Sequence, residues 1–149
     1  MKRTGVLCAF LVLSLVLAVY ANPLSAISVV MLNDLPQGKA VSLQKDGGVP
    51  LFITNDSPET VTMEVEAQSP RMVELRAGYE PIPDLSWVRF PQSRFSLKAR
   101  STTQFDVVIT VPAGMQFQGK RYQLNVWAHT VGKNVVTGIK SKVLFSVKK

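Results

Sequence analysis

Residues 102–111 read Thr102-Thr103-Gln104-Phe105-Asp106-Val107-Val108-Ile109-Thr110-Val111, and this stretch decides the fold class. Thr103, Phe105, Val107, Ile109 and Val111 occupy every second position. Thr102, Gln104, Asp106 and Thr110 fall between them, with Val108 the exception. Successive side chains of an extended strand point to opposite faces, so this spacing makes one oily face and one wet face. An amphipathic helix would space its apolar residues three and four apart.

The same rhythm recurs on both sides of this stretch. Val61, Met63, Val65 and Ala67 alternate with Thr62, Glu64 and Glu66. Tyr122, Leu124, Val126 and Ala128 alternate with Arg121, Gln123, Asn125, Trp127 and His129. Ile139, Val143, Phe145 and Val147 alternate with Lys140, Lys142 and Lys148. Shorter segments come earlier. Ile27–Leu32 reads as a first strand. Val41–Lys45 and Val49–Thr54 flank Asp46-Gly47-Gly48, a hairpin-type turn signal, and Asn55-Asp56-Ser57-Pro58 is a further turn. The segment 69–91 carries Pro70, Gly78, Pro81, Pro83 and Pro91; proline lacks the donor a central strand needs, so only Ser86–Phe90 is expected there as a short edge strand. Seven to eight short strands separated by turns predict an all-β chain folded as a single antiparallel β-sandwich.

The beginning of the chain reads as an address. Lys2 and Arg3 precede an apolar run from Val6 to Val19, followed by two small-residue exits, Val19-Tyr20-Ala21 and Leu24-Ser25-Ala26. That order is a secretory signal peptide over residues 1–26, cut after Ala21 or Ala26, with the sandwich over 27–149. The apolar run is shorter than the roughly 20 residues of a membrane span. The expected location is extracytoplasmic: periplasmic, cell-surface or secreted. The only cysteine, Cys8, lies inside the leader, so the domain itself has no thiol for a disulfide, a thiolate metal site or a nucleophile.

Seventeen Lys and Arg stand against ten Asp and Glu, a net charge of +7. The distribution is uneven. No acid follows Asp106, whereas Lys120, Arg121, Lys133, Lys140, Lys142, Lys148 and Lys149 do. Such a half suits an anionic partner, or is a solvated strand face with a charged tail. Export makes nucleic acid the least fitting of the anions.

Catalytic chemistry has little to work with. His129 is the only histidine, and a triad needs a base oriented by a third group. Zinc needs several Cys or His ligands. Asp46 and Asn55-Asp56 lack the dense oxygen spacing of a calcium loop. Glu64 and Glu66 share a wet strand face, where adjacent acids act mainly as solubilisers. Gly47-Gly48 has no phosphate-loop context. The expectation is a non-enzymatic chain with no cofactor and no metal.

What remains is surface. Trp127 shares its parity with Arg121, Gln123 and His129, and a hairpin across Val131–Gly138 brings Lys140 and Lys142 onto the same side. Arg121, Gln123, Trp127, His129, Lys140 and Lys142 are therefore the candidate partner-binding face; an open tryptophan among cations and amides suits a sugar or a protein hot spot. The competing expectation is that segment 69–91 covers Trp127, or that the indole rests on lysine stems. Trp87 is expected to pack under its own proline-rich loop.

Leu85 to Ala128 resembles bacterial extracytoplasmic immunoglobulin-like domains. The resemblance rests on Trp87-Val88, Pro91, Phe95-Ser96-Leu97, Ala99-Arg100-Ser101, Phe105 to Val111, Pro112, Gly119, Tyr122 and Leu124 to Ala128. Val49 to Glu66 resembles the opening of such domains. Many members have glycine where this chain has Ala99-Arg100. The resemblance implies an immunoglobulin-like sandwich and only a non-catalytic role outside the cytoplasm. The expected function is a structural, assembly or adhesion module acting through surface contacts, with an envelope protein or a surface glycan as partner. A carbohydrate-binding module using the Trp127 face is the alternative. A further resemblance, to the N-terminal sandwich of periplasmic pilus chaperones, implies a protein that lends or accepts a strand.

Overall fold

Each alternating stretch becomes a strand in the computed structural model, which describes residues 24–26 and 29–149. In chain order the strands are β1 (Leu24–Ala26), β2 (Val29–Leu35), β3 (Ala40–Ser42), β4 (Leu51–Asn55), β5 (Val61–Gln68), β6 (Glu80–Pro81), β7 (Val88–Arg89), β8 (Arg94–Leu97), β9 (Ser101–Phe105), β10 (Val108–Thr110), β11 (Arg121–Val131) and β12 (Gly138–Val147). Single 3-10 turns occupy Met72–Glu74, Leu85–Trp87 and Met115–Phe117, and no α-helix occurs among the described residues.

One layer is a sheet ordered β2-β12-β11-β5-β8, with β6 alongside β11. The other consists of two three-stranded ladders, β1-β4-β9 and β3-β10-β7. The first strand is shared between layers. β1 pairs antiparallel with β4, whereas β2 pairs parallel with β12. Of the expected strand Ile27–Leu32, residues 29–32 lie in β2, Ile27 lies outside the described residues, and the strand before it, β1, pairs in the other layer.

Two other expectations change. Asp46-Gly47-Gly48 does turn the chain, but it does not join a hairpin. β3 lies along β10 and β4 along β9, both antiparallel, so β3 and β4 run the same way beside two successive strands. Residues 44–50 are an excursion thrown out between them. It is sealed by Ser42 N–H donating to Asp46 Oδ2 (2.8 Å) and Lys45 N–H donating to Ser42 Oγ (2.8 Å). Gly47 is required here, because a Cβ would stand 2.8 Å from both Leu32 Cδ2 and the Leu43 carbonyl oxygen. The long strand of residues 102–111 is likewise interrupted, at Asp106-Val107. Asp106 turns its carboxylate to this excursion, accepting from Ser42 Oγ (2.6 Å) and Gln44 N–H (3.0 Å).

The inward positions supply one core. Leu43, Ile53, Met63, Leu97, Val107, Ile109, Leu124, Val143 and Phe145 are all fully buried. Each such side chain removed from water contributes on the order of 1.5–3 kcal/mol. Trp87 is buried as expected of it, with Phe117 and Tyr122 meeting its ring edge-on at 5.0 and 5.6 Å between centroids.

The turn between β8 and β9 carries the chain from one layer to the other. Arg100 adopts φ +52° there, a left-handed conformation that costs an L-residue roughly 1–2 kcal/mol and glycine almost nothing. Arg100→Gly is therefore expected to leave the fold intact and raise the unfolding free energy by up to about 1 kcal/mol, after glycine's extra unfolded-state entropy is subtracted. A shift of the urea midpoint to higher concentration is the check.

The leader assigned to residues 1–26 lies outside the described residues except for Leu24–Ala26, which form β1. Among the described residues no helix is long and apolar enough to cross a membrane.

Candidate partner-binding face

The antiparallel register of β11 sets what stands beside what on the outer face. Asn125 lies opposite Lys142 and Gln68, Trp127 opposite Lys140 and Glu66, and His129 opposite Gly138 and Glu64. Gln123 pairs with Leu144, which in turn pairs with Met31 of β2. The six candidate residues therefore do share one side of one sheet, with Arg121 at its far end.

That side is divided by the loop 69–91. Gln123 is fully buried, contrary to its expected place on an open face. Its Oε1 accepts from Arg76 N–H (2.8 Å) and its Nε2 donates to the Glu74 carbonyl (2.9 Å). Asn125 is buried beside it, its Nδ2 donating to Glu74 Oε2 (3.2 Å). Lys142 Nζ reaches the Glu74 carbonyl (3.2 Å) and Lys140 Nζ reaches Glu74 Oε1 (3.4 Å). The loop is thus pinned, mainly through Glu74 and also through the Arg76 N–H, to amides and ammonium groups that sequence parity assigns to solvent. One clue is present in the sequence: Leu144 is an apolar residue at a wet position, and it is buried.

Glu74 is held as a carboxylate. The backbone N–H of Arg71 (2.9 Å), then the Arg71 guanidinium (3.2 Å) and Lys140 lower its pKa from an ordinary 4.5 to about 2, against the opposing effect of burial. A folded pKa below the unfolded one means that the charged form stabilises the folded loop, chiefly through the Arg71 contacts within its own turn and secondarily through Lys140 of the sheet. That support is complete above about pH 4.5 and is lost as the pH falls toward 2. Loop 69–91 is accordingly expected to become cleavable by pepsin within this acid window before the core unfolds, and Glu74→Gln to move the onset to higher pH. Peptide mapping of the first cuts reads the result.

The charge asymmetry of the sequence is folded into pairs. Lys120 meets Glu80 (2.7 Å), Lys133 meets Glu59 (2.9 Å) and Lys140 meets Glu74. The acids of the first half thus neutralise part of the basic second half. Arg121, Lys148 and Lys149 remain around a groove of about 590 Å³, together with Met31, Asn33, Asp34 and Tyr79.

Trp127 is not bare. It is half-buried and stacks on His129, centroids 4.1 Å apart and planes 28° from parallel. Its indole lies against the backbone of Gly138, where a Cβ would collide with Nε1. His129 Nδ1 lies 3.3 Å from the Thr130 carbonyl oxygen. Among the described residues no three His, Cys, Asp or Glu side chains gather as metal ligands would.

Around the docked loop sits a feature that alternation missed. Val29 and Met31 on β2 are 45% and 49% exposed, and Met72 and Val73 at the loop tip are 79% and 87% exposed. Val29 registers with Lys142, which bonds Glu74, and Arg76 Nη1 lies 3.9 Å from Met31 Sδ. β2 ends the sheet on this side.

No family model matches the sequence, and no curated protein matches it. Solved structures match the fold. A PapD-like domain of human CEP192 superposes with a TM-score of 0.56 at 11% identity, covering 86% of this chain and 87% of that one. The chain has an immunoglobulin-like β-sandwich fold, similar to that domain. A putative carbohydrate-binding protein from Bacteroides ovatus superposes on this chain at 0.61 with 15% identity, over 83% of it. The Salmonella enterica SafA pilin in complex with the SafB chaperone matches at 0.54 with 13% identity, also over 83%. This chain spans 36% and 54% of the length of those two chains.

Proposed function

We propose that this chain is an exported, non-catalytic assembly module that binds a protein partner along β2 and the loop tip beside it. The observation that carries this reading is the exposure of Val29 and Met31 on the edge strand β2, beside the loop residue Arg76, in a loop whose Met72 and Val73 are also exposed. An edge strand offers unpaired backbone groups to an added strand, and proteins that avoid such pairing place charges or proline there. From Val29 to Leu35 the only charged residue is Asp34, near the end of the strand. Export is supported by the leader motif, and a protein partner by the fold shared with a chaperone–pilin complex.

The test uses the mature domain as bait in envelope extract. Val29→Lys, Met31→Lys and Val73→Lys are surface changes expected to keep the melting temperature within about 2 °C and to abolish capture of the partner that the unaltered domain retains. Unchanged capture by all three variants sinks the proposal.

A second reading follows from the Trp127–His129 stack, whose exposed part offers an aromatic platform beside Glu64, Glu66 and Lys140. It gives a carbohydrate-binding module. Retention on immobilised envelope polysaccharide, lost in Trp127→Ala and kept in Met31→Lys, separates it from the first.

A further inference from the structure

The two exits of the leader leave different domains behind. A cut after Ala21 keeps Leu24–Ala26, and a cut after Ala26 removes them. We infer that the export peptidase cuts between Ala21 and Asn22, so that Leu24–Ala26 enter the mature domain as its first strand. This rests on the export reading above.

The first support is packing. Leu24 is 5% exposed and belongs to the core cluster. Leu24, Ser25 and Ala26 register with Asn55, Thr54 and Ile53 of β4. Without β1, β4 would change from the middle of its ladder to its edge, baring the backbone that flanks the fully buried Ile53. A bared hydrophobic edge invites pairing with other chains.

The second support is local chemistry. The peptidase takes small side chains at the last and third-last positions before its cut. The first exit offers Ala21 and Val19, directly after the apolar run; the second offers Ala26 but the larger Leu24. Side-chain size and strand pairing therefore reject the same bond.

The experiment is to express the full 149-residue chain in an exporting bacterium and read the N-terminus of the envelope fraction by intact mass and sequencing. A mature chain beginning at Asn22 is the expected result. One beginning at Ile27, or at any other residue, overturns the inference while leaving export standing. An uncut chain held in the cytoplasm overturns both. The packing argument has its own readout. Residues 27–149 made alone are expected to melt roughly 5–10 °C below residues 22–149, and equal melting would remove β1 from the domain.

Discussion

Phe145→Ala is expected to lower the unfolding free energy by about 3–5 kcal/mol, the range for an aromatic side chain removed from a packed core. Phe145 is fully buried in β12, with Tyr122 opposite it in β11 and Leu32 opposite it in β2. The Tyr122 ring lies 5.7 Å away, centroid to centroid. Both flanking strands are tied by backbone hydrogen bonds, so the walls cannot close fully on the space left behind. Against a typical total of about 5–15 kcal/mol, this loss leaves a domain near its limit. Urea titration is the measurement, and the midpoint should fall without a change in slope. A loss below about 1 kcal/mol would place Phe145 outside the core.

Asn55→Ala comes next, at about 2–4 kcal/mol. Asn55 is fully buried at the end of β4. Its Nδ2 donates to the carbonyls of Glu59 (2.7 Å), Lys98 (3.1 Å) and Leu97 (3.4 Å), and its Oδ1 accepts from Ser57 N–H (3.0 Å) and Ser57 Oγ (2.7 Å). One amide thus closes the β4–β5 turn and fastens it to the corner where β8 leaves its sheet. Removing it leaves buried carbonyls without a donor, each costing roughly 1–3 kcal/mol before relaxation. Asn55→Asp separates the two halves of the role, since it keeps the acceptor and loses the donor. It should be destabilising by a similar amount, and an unchanged urea midpoint in that variant would assign the stability to the Ser57 contacts alone.

Two-residue periodicity exposes the inward faces well, because burial acts on every second side chain regardless of partner. Val61, Met63 and Val65, and Leu124 and Val126, lie inside as their parity demands. It cannot reveal where a strand changes sheet, because that choice is made by distant partners. The Asp106 interruption depends on Ser42 and Gln44, and the excursion at 44–50 depends on the Asp106 carboxylate. Gln123 and Asn125 read as wet for the same reason. Their cover comes from Glu74, some fifty positions away in the chain and inside the segment with the weakest pattern. Of the six candidate residues, Arg121 and Lys140 are exposed, Trp127, His129 and Lys142 are half-buried, and Gln123 is enclosed.

The pairing of β2 with β12 joins Val29 to Lys142 and Leu35 to Val147, nearly the full length of the domain apart. Contacts this remote form late, since a long loop must close before they form. Under the export proposed above, a chain threading through a membrane pore amino end first delivers its opening strand long before the partner that strand needs. Sealing of the sheet along these two strands must await release of the last residues, so any tether or stalled translocation that withholds Val143 to Val147 should leave an unsealed, sticky intermediate.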